Sequence, residues 1–219
     1  SRCSGSCAAV GDGGLIYVVK GNNTSAFYSF NPADTTWTQL ADMPLGTEAK
    51  GPYKGSVGVA DGNGTIYATK GNNTPGFWKY STLDSSWTQL ADVPLGLSNK
   101  KVKGGTGLAW VDNTVYMLKG YKDEFWRYFP EDASWHQLPN APQGVVAKWD
   151  KGSWITYDAV DNLIYAHKSK FHEFYSFDPV TETWSAALQV VRPGDHIVSG
   201  IDIYGGTYRI FEQLLISYR

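Results

Sequence analysis

What most constrains the fold of this chain is that one stretch of sequence is written four times. It reads IYATKGNNTPGFWKYSTLDSSWTQLADVP from Ile66 to Pro94, and further copies begin at Ile16, Val115 and Ile164. Aligned tyrosines fall at Tyr17, Tyr67, Tyr116 and Tyr165 and aligned tryptophans at Trp37, Trp87, Trp135 and Trp184, a period of 48 to 50 residues. Self-similarity at that period marks an array of supersecondary units, none of which can bury its apolar faces alone.

Each copy divides into four short β-type runs separated by turn residues, which predicts four-stranded blades. In the second copy the runs are Ser56–Ala60, Thr65–Lys70, Phe77–Tyr80 and Ser86–Ala91. The first is rich in small residues and suits the crowded axis of a ring, while the aromatic third and fourth runs suit its outer part. In the third run Trp78 and Tyr80 take one face and Phe77 the other, so both faces are apolar. A sheet apolar on both sides needs a neighbour on each. A ring supplies two, whereas a flat array would leave a tryptophan face open.

The repeats cover most of the 219 residues, which predicts a single domain over residues 1–219. Its expected blades span residues 5–44, 55–94, 104–142 and 152–188, with a shortened fifth over residues 196–219 built from strands at 197–203, 207–212 and 214–218. No run of 18 apolar residues occurs, so no membrane insertion is expected. A net charge of -2 supplies no general attraction for nucleic acid. The start at Ser1 fits a mature secreted chain or an excised domain, and an extracytoplasmic or secreted location is the expectation. The two cysteines, Cys3 and Cys7, could be bridged only across a turn, because a straight strand would hold them roughly 13 Å apart.

A small-residue strand, an Ile-Tyr strand ending near glycine, an aromatic-Asp-Pro-x-Thr-x-x-Trp stretch and a closing Met-Pro or Val-Pro together resemble the kelch repeat. The fit is best in Phe177-Asp178-Pro179-Val180-Thr181-Glu182-Thr183-Trp184, and in Phe30-Asn31-Pro32 through Trp37 with Ala41-Asp42-Met43-Pro44 closing that copy. The resemblance covers residues 5–188 and implies an all-β fold, a β-propeller of four-stranded kelch-like blades. With the segments after residue 188 the expectation is four full blades and a shortened fifth, the alternative being a four-bladed ring or a fragment of a larger one. Kelch blades usually end the second strand with two glycines. Here lysine takes the first position, in Lys20-Gly21, Lys70-Gly71 and Lys119-Gly120, and the fourth copy reads Lys168-Ser169. Function is therefore not carried over from the family.

Alternating strand direction sorts the loops onto two ends of such a disc. One end collects every lysine except Lys79, and the other collects turn aspartates such as Asp12, Asp61, Asp34 and Asp84. Two lysine positions recur: the end of the second strand (Lys20, Lys70, Lys119, Lys168) and the residue before the first strand (Lys54, Lys103, Lys151). Both belong at the mouth of the central channel, where several cations around a low-dielectric funnel can concentrate an anion. Recurring lysines also arise by duplication as end caps that bond carbonyls of the next blade, and the sequence leaves both readings open.

The remaining motifs are weaker. Asn22, Asn63 and Asn72 head glycosylation-type triplets, but Asn-rich loops are ordinary turn chemistry. Four scattered histidines form no metal motif, and neither paired carboxylates nor a Ser/His/Asp pattern stands out. The expectation is a non-enzymatic propeller without cofactor that recognises a protein or an acidic glycan through its lysine-bearing end. The alternatives are a sugar-active oxidase, epimerase or lyase using the axial pocket, and a structural module that self-associates head to tail.

Overall fold

The computed structural model describes residues 6–171 and 173–188. Contacts divide the chain into residues 1–187, which hold all the described strands, and residues 188–219. Within the first unit the strands form four antiparallel sheets of four, each in sequential order. Blade 1 comprises β1 (Cys7–Val10), β2 (Ile16–Gly21), β3 (Thr24–Asn31) and β4 (Thr36–Leu40). Blade 2 comprises β5 (Val57–Ala60), β6 (Thr65–Thr69), β7 (Phe77–Ser81) and β8 (Ser86–Gln89). Blade 3 comprises β9 (Gly107–Val111), β10 (Thr114–Leu118), β11 (Phe125–Phe129) and β12 (Ser134–Leu138). Blade 4 comprises β13 (Trp154–Asp158), β14 (Leu163–Lys168), β15 (Glu173–Asp178) and β16 (Thr183–Trp184). Only a three-residue 3-10 turn at Asp12–Gly14 departs from β structure among the elements. The expected fifth-blade strands lie outside the described residues.

The sheets form a four-bladed β-propeller arrangement in which β1 lies against β5, β5 against β9 and β9 against β13. The third and fourth strands of each blade are joined by a turn with one left-handed non-glycine residue, at Thr35, Ser85, Ala133 and Glu182. An aspartate offsets that cost in three of them: Asp34 accepts from the Thr36 amide, Asp132 from the Ser134 amide and Asp84 from the Ser86 hydroxyl. The recurring aspartates are thus turn chemistry. The same holds for Asn22, Asn23, Asn72 and Asn73, all at positive φ in the loops after β2 and β6.

Three apolar cores form between successive blades. Tyr17, Val19, Phe27 and Met43 of blade 1 meet Ile66, Ala68, Trp78 and Tyr80 of blade 2. Tyr67, Phe77 and Val93 meet Val115, Met117, Trp126 and Tyr128 across the next interface, and Tyr116, Leu118 and Phe125 meet Ile164, Ala166, Tyr175 and Phe177 across the third. Each interface is closed on its outer side by a tryptophan of the fourth strand, whose indole N–H donates to a backbone carbonyl of the preceding blade. Trp87 reaches Ala41 O at 3.0 Å, Trp135 reaches Ala91 O at 3.1 Å and Trp184 reaches Pro139 O at 3.0 Å.

Trp37 departs from the packing of the other three aligned tryptophans. It is 59% exposed and touches only Tyr28 and Phe30 of its own sheet among the described rings. The cause is topological: the indole position serves the preceding blade, and blade 1 has none among the described residues. At the other end of the array Trp154 is 43% exposed, stacked on His167 at 5.6 Å. No core cluster links blade 4 to blade 1 among the described residues.

Candidate functional site

The hairpin registers bring the start of each inner strand and the end of its neighbour to one edge. Val57 pairs with Thr69, the Tyr53 amide donates to Lys70 O at 3.0 Å and the Asn72 amide to Lys54 O at 3.1 Å. Gly71, at φ +60°, makes this approach possible, since a Cβ there would strike the backbone of Lys54 and Gly55. The β7–β8 turn carrying Asp84 lies at the opposite end, beyond the Ser81–Ser86 pair, as does the β3–β4 turn carrying Asp34 beyond Asn31–Thr36.

At the first edge the four inner strands surround a funnel of about 290 Å³, lined by Lys54, Lys151 and a ring of hydroxyls from Ser6, Ser56 and Ser153 with Thr106. The hydroxyls staple the blades internally. Ser6 donates to Lys20 O, Thr106 donates to Lys103 O while accepting from the Gly120 amide, and Ser153 donates to Asp150 O while accepting from the Ser169 amide. Cys7, a free thiol, lies within reach of the Ser56 hydroxyl, and burial pushes its pKa up.

The lysines expected at this mouth separate into two groups. Lys70, Lys119 and Lys168 are 2%, 0% and 0% exposed. Their ammonium groups turn into the preceding blade and bond its carbonyls. Lys70 donates to Leu45 O, Lys119 to Pro94 O and Leu95 O at 2.8 and 2.7 Å, and Lys168 to Gln143 O and Val146 O. Lys119 also pairs with Glu124 at 2.7 Å and Lys168 with Glu173 at 3.2 Å. Each glutamate reaches a backbone amide of the same preceding loop: Glu124 accepts from Ser98 N at 2.8 Å and Glu173 from Val145 N at 2.9 Å. Burial draws the Lys119 pKa down, opposed by Glu124. Burial also works against the Glu173 carboxylate, but its bonds to Val145 N, the Tyr175 hydroxyl and Lys168 outweigh it and hold its pKa below the usual range. Buried and bonded to carbonyls of the preceding blade, these three ammonium groups are closed to a ligand at the axial mouth. Lys20, their counterpart on blade 1, is exposed for the reason that exposes Trp37.

Lys103 differs from Lys54 and Lys151 by one residue of register. The left-handed glycine before each inner strand is Gly55, Gly105 or Gly152, and the hydroxyl residue after it is Ser56, Thr106 or Ser153. Gly104 therefore stands where Lys54 and Lys151 stand, and Lys103 stands where Asp150 does. The extra glycine hid this from the Lys-Gly pattern. The Lys103 ammonium sits 5.0 Å from the Tyr121 ring centroid, which also receives Lys148 at 4.0 Å, while the Lys151 stem lies over Gly104. Lys54 rests 4.8 Å from the centroid of Tyr53.

Carboxylates on this same end neutralise much of the remaining basic charge, which strand direction alone did not reveal. Glu48 pairs with Lys50 and Lys101, and Asp150 with Lys148 and Lys170. Lys54 and Lys151 make no ion pair among the described residues. The readable signal for the buried pairs was a glutamate five residues after the strand-end lysine, in Lys119/Glu124 and Lys168/Glu173 but absent after Lys20 and Lys70.

The opposite end of the axis holds a second cavity, of about 370 Å³, lined by Val59, Asp61, Leu108, Trp110, Thr156 and Tyr157. Trp110 is stacked on Tyr67 there at 5.4 Å. Trp149 is fully buried, its indole N–H on Pro142 O. Among the described residues no group of three or more His, Cys, Asp or Glu side chains is placed to hold a metal ion. No protein-family model matches the chain, and no curated protein matches it.

Proposed function

We propose that this propeller is a non-enzymatic binding module of kelch type that takes an acidic glycan or an acidic protein segment at its axial mouth, acting outside the cytoplasm. The observation that carries the reading is the position of Lys54 and Lys151 on a polar funnel, without an ion pair among the described residues, while Lys70, Lys119 and Lys168 of that end are buried and Lys50, Lys101, Lys148 and Lys170 are paired with carboxylates. Rigid blades holding loops around an axis favour recognition. The kelch part of the reading is supported by the repeated aromatic-Asp-Pro and Trp pattern and by blades whose strand ends fall where that pattern puts them. Lys20 and Lys103 border the same end and extend the basic surface, with Lys70, Lys119 and Lys168 fixing the loops beneath it.

The test is binding to sulfated and carboxylated glycans and to acidic peptides across a salt series. Affinity should fall as salt rises, because exposed charges are screened over about 8 Å at physiological ionic strength. Lys54→Gln combined with Lys151→Gln should weaken binding at least tenfold and flatten the salt dependence with the melting temperature unchanged. Salt-insensitive binding to neutral sugars would instead move the site to exposed aromatics, with Trp154 first among them.

A further inference from the structure

The three buried strand-end lysines occupy equivalent sockets, yet their surroundings differ in one atom group. In blades 3 and 4 the residue before the first aromatic of the third strand is a glutamate, Glu124 before Phe125 and Glu173 before Phe174, and its carboxylate faces the ammonium. In blade 2 the residue before Phe77 is Gly76. Lys70 is as deeply buried as the others but hydrogen-bonds only the Leu45 carbonyl among the described residues. The Trp78 ring lies 5.4 Å from its ammonium, and the buried Trp78 indole N–H has no acceptor there. Trp126 Nε1 of blade 3 also lacks an acceptor although Glu124 is bonded to Lys119 there, so the lysine is the principal donor and the indole an auxiliary one.

Between these groups is a cavity of about 10 Å³ whose lining includes Gly46, Lys70, Gly76 and Trp78 together with the carboxylate residues Glu48 and Asp92. That is room for one species of about water size. A Cβ added at Gly76 would lie 3.0 Å from Trp78 Nε1, and one at Gly46 would lie 3.2 Å from Lys70 Nζ. Both glycines thus keep the approach to the donors open. Burial lowers the Lys70 pKa, with the fields of Glu48 and Asp92 opposing it. Glu48 is itself drawn toward Lys50 and Lys101, which leaves the socket without a bonded carboxylate. A buried ammonium without a bonded counter-charge is costly.

We propose that the interface between blades 1 and 2 binds one small monovalent inorganic anion, of the halide class, on Lys70 Nζ and Trp78 Nε1, in the role that Glu124 and Glu173 play in the next two interfaces. The site is separate from the axial mouth and does not depend on a ligand there. Its consequence is a blade interface whose strength follows the anion concentration, since a ligand bound only by the folded state stabilises it by mass action.

The experiment follows the melting temperature of the whole chain as chloride or bromide replaces a bulky carboxylate salt at constant ionic strength. A saturating rise of about 2 °C is expected. Gly76→Glu, which installs the carboxylate of the other blades, should abolish the anion response, and so should Lys70→Met. A crystal grown in bromide should show anomalous density within hydrogen-bonding distance of Lys70 Nζ. An anion-insensitive melting temperature, an undiminished response in Lys70→Met, or water alone in the bromide crystal would overturn the proposal. Bromide density with no effect on stability would mean an adventitious ion only, and would overturn it as well.

Discussion

Trp37 and Trp87 hold the same position in consecutive copies, and their surroundings assign them different energies. Trp87 contacts Phe27 of the preceding blade at 5.0 Å and donates to Ala41 O, whereas Trp37 is 59% exposed. Trp87→Ala should cost about 3 kcal/mol, since it removes apolar contact and an interblade hydrogen bond. Trp37→Ala should cost about 1 kcal/mol or less, as expected for an exposed position. Denaturant melts of the two variants check the pair, and equal losses would mean that Trp37 is covered in solution. A second residue makes the acid behaviour specific. Burial opposes ionisation of Asp150, but bonds from Lys170, the Lys151 amide and Lys148 prevail and hold its pKa at about 2 instead of 3.8. A depressed folded pKa contributes stability that is present above the unfolded value and lost as pH falls through the folded one. Asp150→Asn should therefore flatten the fall in stability between about pH 4 and pH 2. An unchanged acid slope in that variant would show that Asp150 is not a source of it.

The second strand of each blade shows how a repeated residue becomes an interblade pin. Its closing lysine reaches the loop of the preceding blade in blades 2, 3 and 4, and in two of them a glutamate from the start of the third strand completes the contact. Lys119→Met leaves Glu124 buried without its cation and should cost about 3 kcal/mol, the usual scale for breaking a buried pair. Lys119→Met combined with Glu124→Leu should recover most of that loss, because both charges leave together. Thermal or denaturant melts would show it, and a double variant no better than the single one would mean that the carbonyl bonds to Pro94 and Leu95 dominate. The strands themselves were readable from sequence, since turn residues and two-faced aromatics are local signals; β5 to β8 begin within one residue of their expected starts. The pinning was not. Whether Lys119 meets solvent or the Pro94 carbonyl depends on a neighbour 24 to 25 residues away in sequence, and repetition of a lysine looks the same in both cases. Lys103 was misaligned for a different reason: a Lys-Gly pair is repeated in text while the backbone repeats a left-handed glycine followed by a hydroxyl residue.

At the scale of the whole array, the described blades are not energetically equivalent although their sequences are alike. Blades 2 and 3 each contribute to two interblade cores, and blades 1 and 4 to one each among the described residues. Repeat proteins gain much of their stability from such nearest-neighbour interfaces, and openings below global unfolding follow the elements with fewest of them. Amide hydrogen exchange should accordingly be slowest in β6 and β10, at the centres of blades 2 and 3. It should be faster in β2 and β14, which hold the corresponding place in blades 1 and 4, and fastest in β4, whose residues Thr36 to Gln39 are all exposed. Trp87→Ala should bring blade 1 to still faster exchange while leaving β14 unchanged, because only the interface between blades 1 and 2 is weakened. Uniform protection across the four blades would show that the outer faces bearing Trp37 and Trp154 are covered in solution, and would make the array a single cooperative unit rather than a graded one.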